Sequence, residues 1–274
     1  RLLYSQSAFS PDGKYIAFTA QRKGKDVLYL MDVKKRRTIR RFDLPLEGVT
    51  SPAFSPDNKQ LVFSGSEGGI TDIFTVDVDG KQFRRLTRDR FGDLQPQWSP
   101  DGRYIAWASE RGPQADLDIL QFGKWKISVM DLESGLIETL PGQDGHNLNP
   151  MWAPDGRSIA FVSDRDGGQN LFLFDRDARE HFQLTNLIGG VTAITEYSPA
   201  ISWARGADRL AFTYYEDGDY TVWSVNNPRS LKKAPYRVPA TGTPLLAQGN
   251  GASGASGIAA PSAALRVDSV PTDT

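Results

Sequence analysis

The 274-residue sequence contains no cysteine, which excludes disulfide bonds, thiolate metal ligands and cysteine nucleophiles. It has only two histidines, His146 and His181, and they lie too far apart in the sequence to form a zinc pair on one helix. The net charge is −1, so we predict no nucleic-acid partner. No apolar run is long enough to cross a bilayer. With 39% hydrophobic residues, the composition is that of an ordinary globular protein with one large core.

Catalytic motifs are also missing from the sequence. The Gly-x-Ser-x-Gly elbow of serine hydrolases does not occur, because SGSEGG at 64–69 and GASGASG at 251–257 both miss its spacing. Glycine-rich phosphate loops are absent. The turn SDRDGG at 163–168 alternates its aspartates as calcium loops do, but it lacks the distal glutamate of such a loop. We therefore predict that this chain is not an enzyme and holds neither a metal nor a cofactor.

What the sequence does contain is a repeat of eleven residues. It occurs as AFSPDGKYIAF at 8–18, AFSPDNKQLVF at 53–63, QWSPDGRYIAW at 97–107, MWAPDGRSIAF at 151–161 and, in a worn form, SWARGADRLAF at 202–212. The first aromatic residues of successive copies are 45, 44, 54 and 51 residues apart, and a second aromatic always follows nine residues later. Repeats of about 40–45 residues are typical of four-stranded propeller blades.

Each copy has the turn chemistry of a β-hairpin, with proline at the second turn position and Asp-Gly after it. The flanking apolar runs predict strands a and b, a third run such as VLYLMDV at 27–33 predicts strand c, and a poorer segment such as FRRLT at 83–87 predicts the outer strand d. In the fifth copy we assign strand d to PYRVPA at 235–240. The predicted fold class is all-β, a β-propeller of four-stranded antiparallel blades. Five blades are recognisable, and they form either a five-bladed ring or an arc of a larger propeller.

The predicted propeller covers residues 1–240. Its blades are expected at about 4–45, 49–88, 94–140, 148–185 and 198–240. Residues 241–274 lose the strand pattern and are rich in Gly, Ala, Ser and Pro, which is typical of a flexible linker or tail. We therefore expect further domains on one or both sides of the propeller.

Strand c carries an aspartate at the same place in four of the five copies. These residues are Asp32, Asp77, Asp131 and Asp175. Asn226 takes this place in the fifth copy. Because a polar residue recurs here in every blade, it points to a structural purpose, and we expect each carboxylate to accept backbone N–H bonds from the turn between strands c and d.

The segments SPDGKYIAF…DVLYLMDV and SPDGRSIAFVSDRDGGQNLFLFD resemble the repeats of TolB-type, WD-like β-propellers. Such blades occur in the bacterial periplasmic Tol proteins and in the propeller domains of prolyl-oligopeptidase-type and tricorn-type peptidases. The resemblance covers about residues 4–240. It departs from the Tol pattern, since the small α/β domain that precedes the blades is lacking and five blades are found where six are expected.

The resemblance implies a periplasmic or otherwise exported protein of the bacterial cell envelope. Such a propeller is expected to be a non-catalytic module that binds a protein or peptide partner. An alternative remains open, because the same blades gate the substrate in larger peptidases, whose catalytic domain would lie outside this chain.

Two insertions locate the predicted binding face. The second aromatic and the residue that ends strand c are 14 residues apart in four blades but 24 apart in the third, so ten extra residues lie around 112–125. Seven more lie between strand d of blade 4 and strand a of blade 5, within 186–200. In an up-and-down blade, the b–c and d–a connections emerge on the same face, where insertions often serve binding.

Aromatic residues and arginine on loops often anchor protein interfaces, and this face carries both types. The candidate binding residues are Arg88, Arg90, Phe91, Asp93, Leu120, Phe122, Trp125, His146, Asn147 and Tyr197. The alternative interpretation is that Phe122 and Trp125 only cap the edge of a blade and that Arg88 is solvated.

Overall fold

Five antiparallel sheets follow one another along the chain, in the order that the repeats predict. The computed structural model describes residues 6–112, 115–119, 121–193 and 198–237. Four of the sheets have four strands and the fifth has three within the described residues. Every sheet has its strands side by side in chain order, so each blade is a series of hairpins. The prediction of an all-β propeller with five blades is confirmed.

The strands are named in chain order, from β1 to β19. Blade 1 consists of β1 (Ala8–Phe9), β2 (Tyr15–Arg22), β3 (Lys25–Asp32) and β4 (Arg37–Phe42). Blade 2 consists of β5 (Gly48–Phe54), β6 (Gln60–Glu67), β7 (Ile70–Asp77) and β8 (Arg84–Arg85). Blade 3 consists of β9 (Asp93–Trp98), β10 (Tyr104–Ser109), β11 (Lys126–Asp131) and β12 (Ile137–Thr139). Blade 4 consists of β13 (Asn147–Trp152), β14 (Ser158–Ser163), β15 (Asn170–Asp175) and β16 (Glu180–Gln183). Blade 5 consists of β17 (Ile201–Ala204), β18 (Arg209–Glu216) and β19 (Asp219–Asn226).

The two remaining elements are short 3₁₀ helices, at Leu117–Ile119 and Pro228–Leu231. No helix in the described part of the chain has the length and apolar character needed to cross a membrane.

The Ser-Pro-Asp turn between strands a and b is closed by the serine side chain. In blade 1 the Ser10 hydroxyl donates to the Asp12 carboxylate at 2.7 Å and accepts the N–H of Tyr15 at 2.9 Å. Blades 2 and 3 repeat both bonds. Blade 4 has Ala153 in place of the serine, and there Asp155 pairs with Arg229 of the 3₁₀ helix that follows blade 5.

The aspartates of strand c act as expected in three blades. Asp32, Asp131 and Asp175 accept backbone N–H groups from the c–d turn at 2.8, 2.9 and 3.0 Å. In blade 2 the carboxylate of Asp77 accepts the side-chain amide of Gln60 at 2.9 Å, while Asp79, two residues later, accepts the N–H of Lys81 at 3.0 Å. The prediction is therefore confirmed for three blades, and in the other the neighbouring aspartate takes over the turn.

Strand a of blades 2, 3 and 4 contains a bulge three residues before its aromatic residue. Ser51, Gln95 and Asn149 have φ angles of 53°, 58° and 56°, and the strand pairing shifts register around them. The side-chain oxygen of Gln95 accepts the N–H of Asn149 at 2.8 Å, and that of Asn149 accepts the N–H of Ala200 at 3.0 Å. Buried hydrogen bonds thus link the innermost strands of blades 3, 4 and 5.

Four hydrophobic clusters join successive blades, one at each of the four boundaries between blades 1 and 5. The second aromatic of the repeat lies at their centre, with Phe63, Trp107 and Phe161 almost fully buried. No cluster among the described residues joins blade 5 to blade 1. On the side of blade 5 turned away from blade 4, Tyr220 and Val222 are exposed.

The segment after blade 5 lies against blade 4 instead of forming the expected fourth strand. Lys232 pairs with Asp175 at 2.7 Å, and the N–H of Tyr236 donates to the His181 carbonyl at 2.7 Å. The Tyr236 ring packs edge-on to a buried ring of blade 4 at 5.2 Å. Residues 235–237 thus cover the outer edge of blade 4, because its carboxylates and rings attract this basic, aromatic segment. Residues 238–240 and the predicted tail at 241–274 lie outside the described residues.

Candidate functional site

The b–c and d–a connections of neighbouring blades meet on one side of the propeller, as the topology requires. The N–H of Glu47, before blade 2, donates to the Ser66 carbonyl at 2.9 Å, and Asp26 lies next to them, 3.6 Å from the position that a Gly48 β-carbon would take. We call this side the inserted face. It comprises the connections at 23–24, 68–69, 110–125, 164–169 and 217–218 and those at 43–47, 86–92, 140–146 and 184–200.

The first insertion, at 110–125, folds back onto the connection between blades 2 and 3. Asp116 and Gln121 exchange backbone hydrogen bonds at 2.9 and 2.8 Å and so close a tight loop. At its tip, Asp118 pairs with Arg90 at 2.6 Å. Gly123 is required at the base of the loop, because a β-carbon there would overlap the carbonyl oxygen of Glu110.

Trp125 anchors this insertion in the core between blades 3 and 4. Its side chain is only 8% exposed and belongs to the hydrophobic cluster of that boundary. Its N–H approaches Nδ1 of His146 at 3.4 Å, and its carbonyl accepts the N–H of Asn147 at 2.9 Å. The structure thus brings three of the candidate residues together, in an arrangement that fixes the insertion to the next blade.

Asp93 is buried beneath the inserted face, at the start of strand a of blade 3. Its Oδ1 accepts hydrogen bonds from Trp107 Nε1 at 2.8 Å and from the Ser109 hydroxyl at 2.7 Å, and it pairs with Arg111. Arg111 also pairs with Asp89. A buried ion pair with additional hydrogen bonds holds the connection in one conformation.

Arg111 was not among the candidate residues that the sequence suggested. Its guanidinium also lies 5.7 Å from the centre of the half-buried Phe91 ring. A signal for it was available, because Arg111 and Arg165 each stand four residues after the second aromatic of their repeats.

In blade 4, Arg165 takes the place of Arg111, and its partner at the start of strand a is the neutral Asn147 instead of an aspartate. Arg165 donates to Oδ1 of Asn147 at 2.6 Å and lies 4.7 Å from the centre of the Phe172 ring. Burial lowers the pKa of Arg165 to about 10, since desolvation disfavours its charged form. The amide nitrogen of Asn147 donates to three backbone carbonyls at 3.1–3.2 Å, so this buried side chain is fully used inside the fold.

A cavity of about 690 Å³ opens on the inserted face over blades 1, 2 and 3. Three of the candidate residues, Arg90, Phe122 and Trp125, lie in its lining. Residues that the sequence did not suggest complete the lining, among them Asp26, Glu47, Ser64 and Glu110. Arg88 is exposed outside this cavity. Volumes of 300–1,000 Å³ are usual for binding pockets.

Large apolar side chains project from the same face. Phe122 on the first insertion is 66% exposed, and Ile188 on the second is 99% exposed. Ile119, Tyr215 and Tyr220 are also exposed on or next to these connections. The spacing of the repeats located the insertion at 186–200 that carries Ile188, but this residue was not selected because aromatic side chains were favoured as candidates. The remaining candidates, Leu120 and Tyr197, lie outside the described residues.

The described residues contain no group of three or more acidic, histidine or cysteine side chains that could hold a metal ion. The inserted face offers charged groups, hydroxyl groups and exposed apolar surface.

Comparison with known proteins identifies the repeat. The family model of the TolB beta propeller domain matches residues 5–122. The repeats within residues 5–122 are therefore similar to those of the TolB beta propeller domain. The chain is 28% identical over 106 residues to the Tol-Pal system protein TolB of Desulfotalea psychrophila, a match that covers 38% of this chain and 22% of that protein. It is 24% identical over 232 residues to dipeptidyl-peptidase 5 of Porphyromonas gingivalis, covering 79% of this chain and 31% of the peptidase.

The likeness in fold to solved structures extends beyond the matched repeats. The structure of a putative TolB from Agrobacterium tumefaciens superposes with a TM-score of 0.67 at 23% identity, covering 83% of this chain and 78% of that one. The chain spans less than a third of the length of either curated relative.

Proposed function

We propose that this TolB-type propeller is a non-catalytic module of the bacterial cell envelope and that it binds a protein or peptide through the inserted face. The observation that carries the proposal is the position of the exposed apolar side chains. Five of the ten large ones among the described residues, with Phe122 and Ile188 the foremost, lie on or next to the connections of this one face. Exposed apolar groups gathered on one face are typical of interaction sites, and Phe122 also lines the cavity of that face.

The similarity to a Tol-Pal system protein supports the envelope location and a protein partner. The match to a dipeptidyl-peptidase supports a second candidate function, in which the propeller gates the substrate of a catalytic domain outside this chain. Both candidates place the ligand on a propeller face, and they differ in what the parent protein does with it.

Site-specific photo-cross-linking in the native bacterium tests the binding face. A photo-reactive phenylalanine analogue is placed at Phe122, at Ile188 and, as a control, at Leu136. Leu136 is 73% exposed but lies in the c–d turn of blade 3, on the opposite side of the disc. We expect discrete cross-linked products at the first two positions and none at the third. Products only at Leu136, or at none of the three positions, would overturn the proposal.

The purified chain should hydrolyse neither peptides nor esters. This is measured with chromogenic substrates at high protein concentration. Turnover that disappears when a single residue of the chain is replaced would show that the chain is itself an enzyme.

A further inference from the structure

The cavity on the inserted face carries an excess of carboxylates. We infer that it recognises a cationic side chain, a lysine or arginine of the partner's peptide, next to an apolar residue that packs on Phe122. This inference rests on the proposed function and adds the chemistry of the partner.

Three acidic residues and one basic residue line the cavity within the described part of the chain, namely Asp26, Glu47, Glu110 and Arg90. The charge of Arg90 is already matched by Asp118 at 2.6 Å. Among the described residues, the Glu110 carboxylate accepts one hydrogen bond, from the N–H of Gly92 at 3.1 Å. The cavity therefore offers uncompensated negative charge, which favours a cation and disfavours an anionic ligand.

The side-chain carboxylates of Asp26 and Glu47 have no hydrogen-bond or ion-pair partner among the described residues. Asp26 is half-buried, at the wall formed by Gly48 and Ser66. Partial burial raises the pKa of the Asp26 carboxyl, because desolvation disfavours its charged form and no neighbouring cation offsets this. A ligand that supplies a positive charge would provide the missing partner.

The wall of the cavity contains a second group without a partner. Ser64, on strand b of blade 2, lines the cavity and is 1% exposed, and its Oγ makes no hydrogen bond to any described residue. Buried hydroxyl groups are nearly always hydrogen-bonded, so an unpaired one in a cavity wall indicates a ligand that completes it. The hydroxyl oxygen can accept a hydrogen bond from an ammonium or guanidinium group.

The position of Phe122 at the cavity indicates that the partner also has an apolar residue next to its basic one. Phe122 stands at the cavity lining with two thirds of its side chain exposed, beside the buried Trp125. A basic side chain that enters the cavity leaves its neighbour in the peptide close to the Phe122 ring. With a volume of about 690 Å³, the cavity has room for a basic side chain and part of an adjacent residue.

Peptide selection tests the inference. Random heptapeptides displayed on phage are selected on the wild-type chain, on the double variant Asp26→Asn/Glu47→Gln and on the control Asp217→Asn/Asp219→Asn. The control makes the same change in charge on the same face but at the b–c turn of blade 5, away from the cavity. We expect lysine and arginine to be enriched on the wild type and on the control, and the enrichment to disappear on the first variant.

A synthetic copy of the best wild-type peptide then gives the affinities. Replacing the basic residue of the peptide by norleucine removes a charge-assisted hydrogen bond and should weaken binding to the wild type by about tenfold. The same replacement should change the affinity for the variant Asp26→Asn/Glu47→Gln by less than about threefold. The variant Phe122→Ser separates the two hypotheses. Peptides that need Phe122 but show no basic preference, or an equal norleucine effect on both proteins, would overturn only the inference. Peptides indifferent to Phe122, or no selected peptide at all, would overturn the proposed function as well.

Discussion

His181 is a buried histidine whose protonation should destabilise the fold. It lies on β16, is 6% exposed, and packs between the rings of Phe161 and Phe174, whose centres are 5.7 and 4.9 Å away. Its Nε2 donates to the carbonyl of Pro141 at 2.7 Å, and its buried Nδ1 has no partner among the described residues. Burial, together with the nearby charge of Arg165, lowers the pKa of His181 from 6.5 to about 4.

The direction of the effect follows from where the proton binds. Because the folded-state pKa is below the unfolded one, the unfolded chain binds the proton more tightly, and stability falls as the pH drops below 6.5. The loss is complete once the pH is below about 4. At about 1.4 kcal/mol per tenfold change in proton affinity, the full effect is roughly 3 kcal/mol, of which about 2 kcal/mol develops between pH 7 and pH 5.

The assay compares urea unfolding of the wild type and of His181→Phe at pH 7, 6 and 5. Phenylalanine keeps an aromatic ring in the cluster, cannot be protonated, and loses the bond to Pro141. The variant should therefore be less stable than the wild type by about 1 kcal/mol at pH 7 and more stable by about 1 kcal/mol at pH 5. The comparison cancels every other titrating group. A difference in stability that stays constant between pH 7 and pH 5 would refute the reasoning.

Four further substitutions test the packing on and under the inserted face. Asn149→Ala leaves the buried N–H of Ala200 without its acceptor and should lower the free energy of unfolding by about 2 kcal/mol. Denaturant titrations measure this loss, and an unchanged unfolding midpoint would contradict the link between the innermost strands. Asn147→Asp should also lower the free energy of unfolding by about 2 kcal/mol, because the new carboxylate oxygen would face three backbone carbonyls even though it could pair with Arg165. A gain in stability would show that the new ion pair outweighs this repulsion. Trp125→Ala should lower the free energy of unfolding by about 3 kcal/mol and Phe122→Ala by less than about 0.5 kcal/mol, and equal losses would mean that both rings are packed alike.

The blades could be predicted from the sequence because their determinants are local and recur at fixed positions. The spacing of nine residues between aromatics sets the register of each hairpin, and the Ser-Pro-Asp turn carries its own hydrogen bonds. The aspartates of strand c were predicted for the same reason, since their acceptors and donors lie within three residues of each other. The positions of the two insertions also followed from counting residues between repeats.

What lies on the inserted face depended on contacts between distant parts of the chain. Trp125 and Phe122 are three residues apart in one loop, yet one is buried against blade 4 and the other is exposed. The buried pair of Asp93 and Arg111 spans 18 residues, and the cavity gathers side chains from three blades. Residues 235–237 pair with blade 4 although they follow blade 5. A repeat specifies its own hairpins through short-range periodicity, whereas burial, ion pairing and cavity shape arise only when neighbouring blades close over one another.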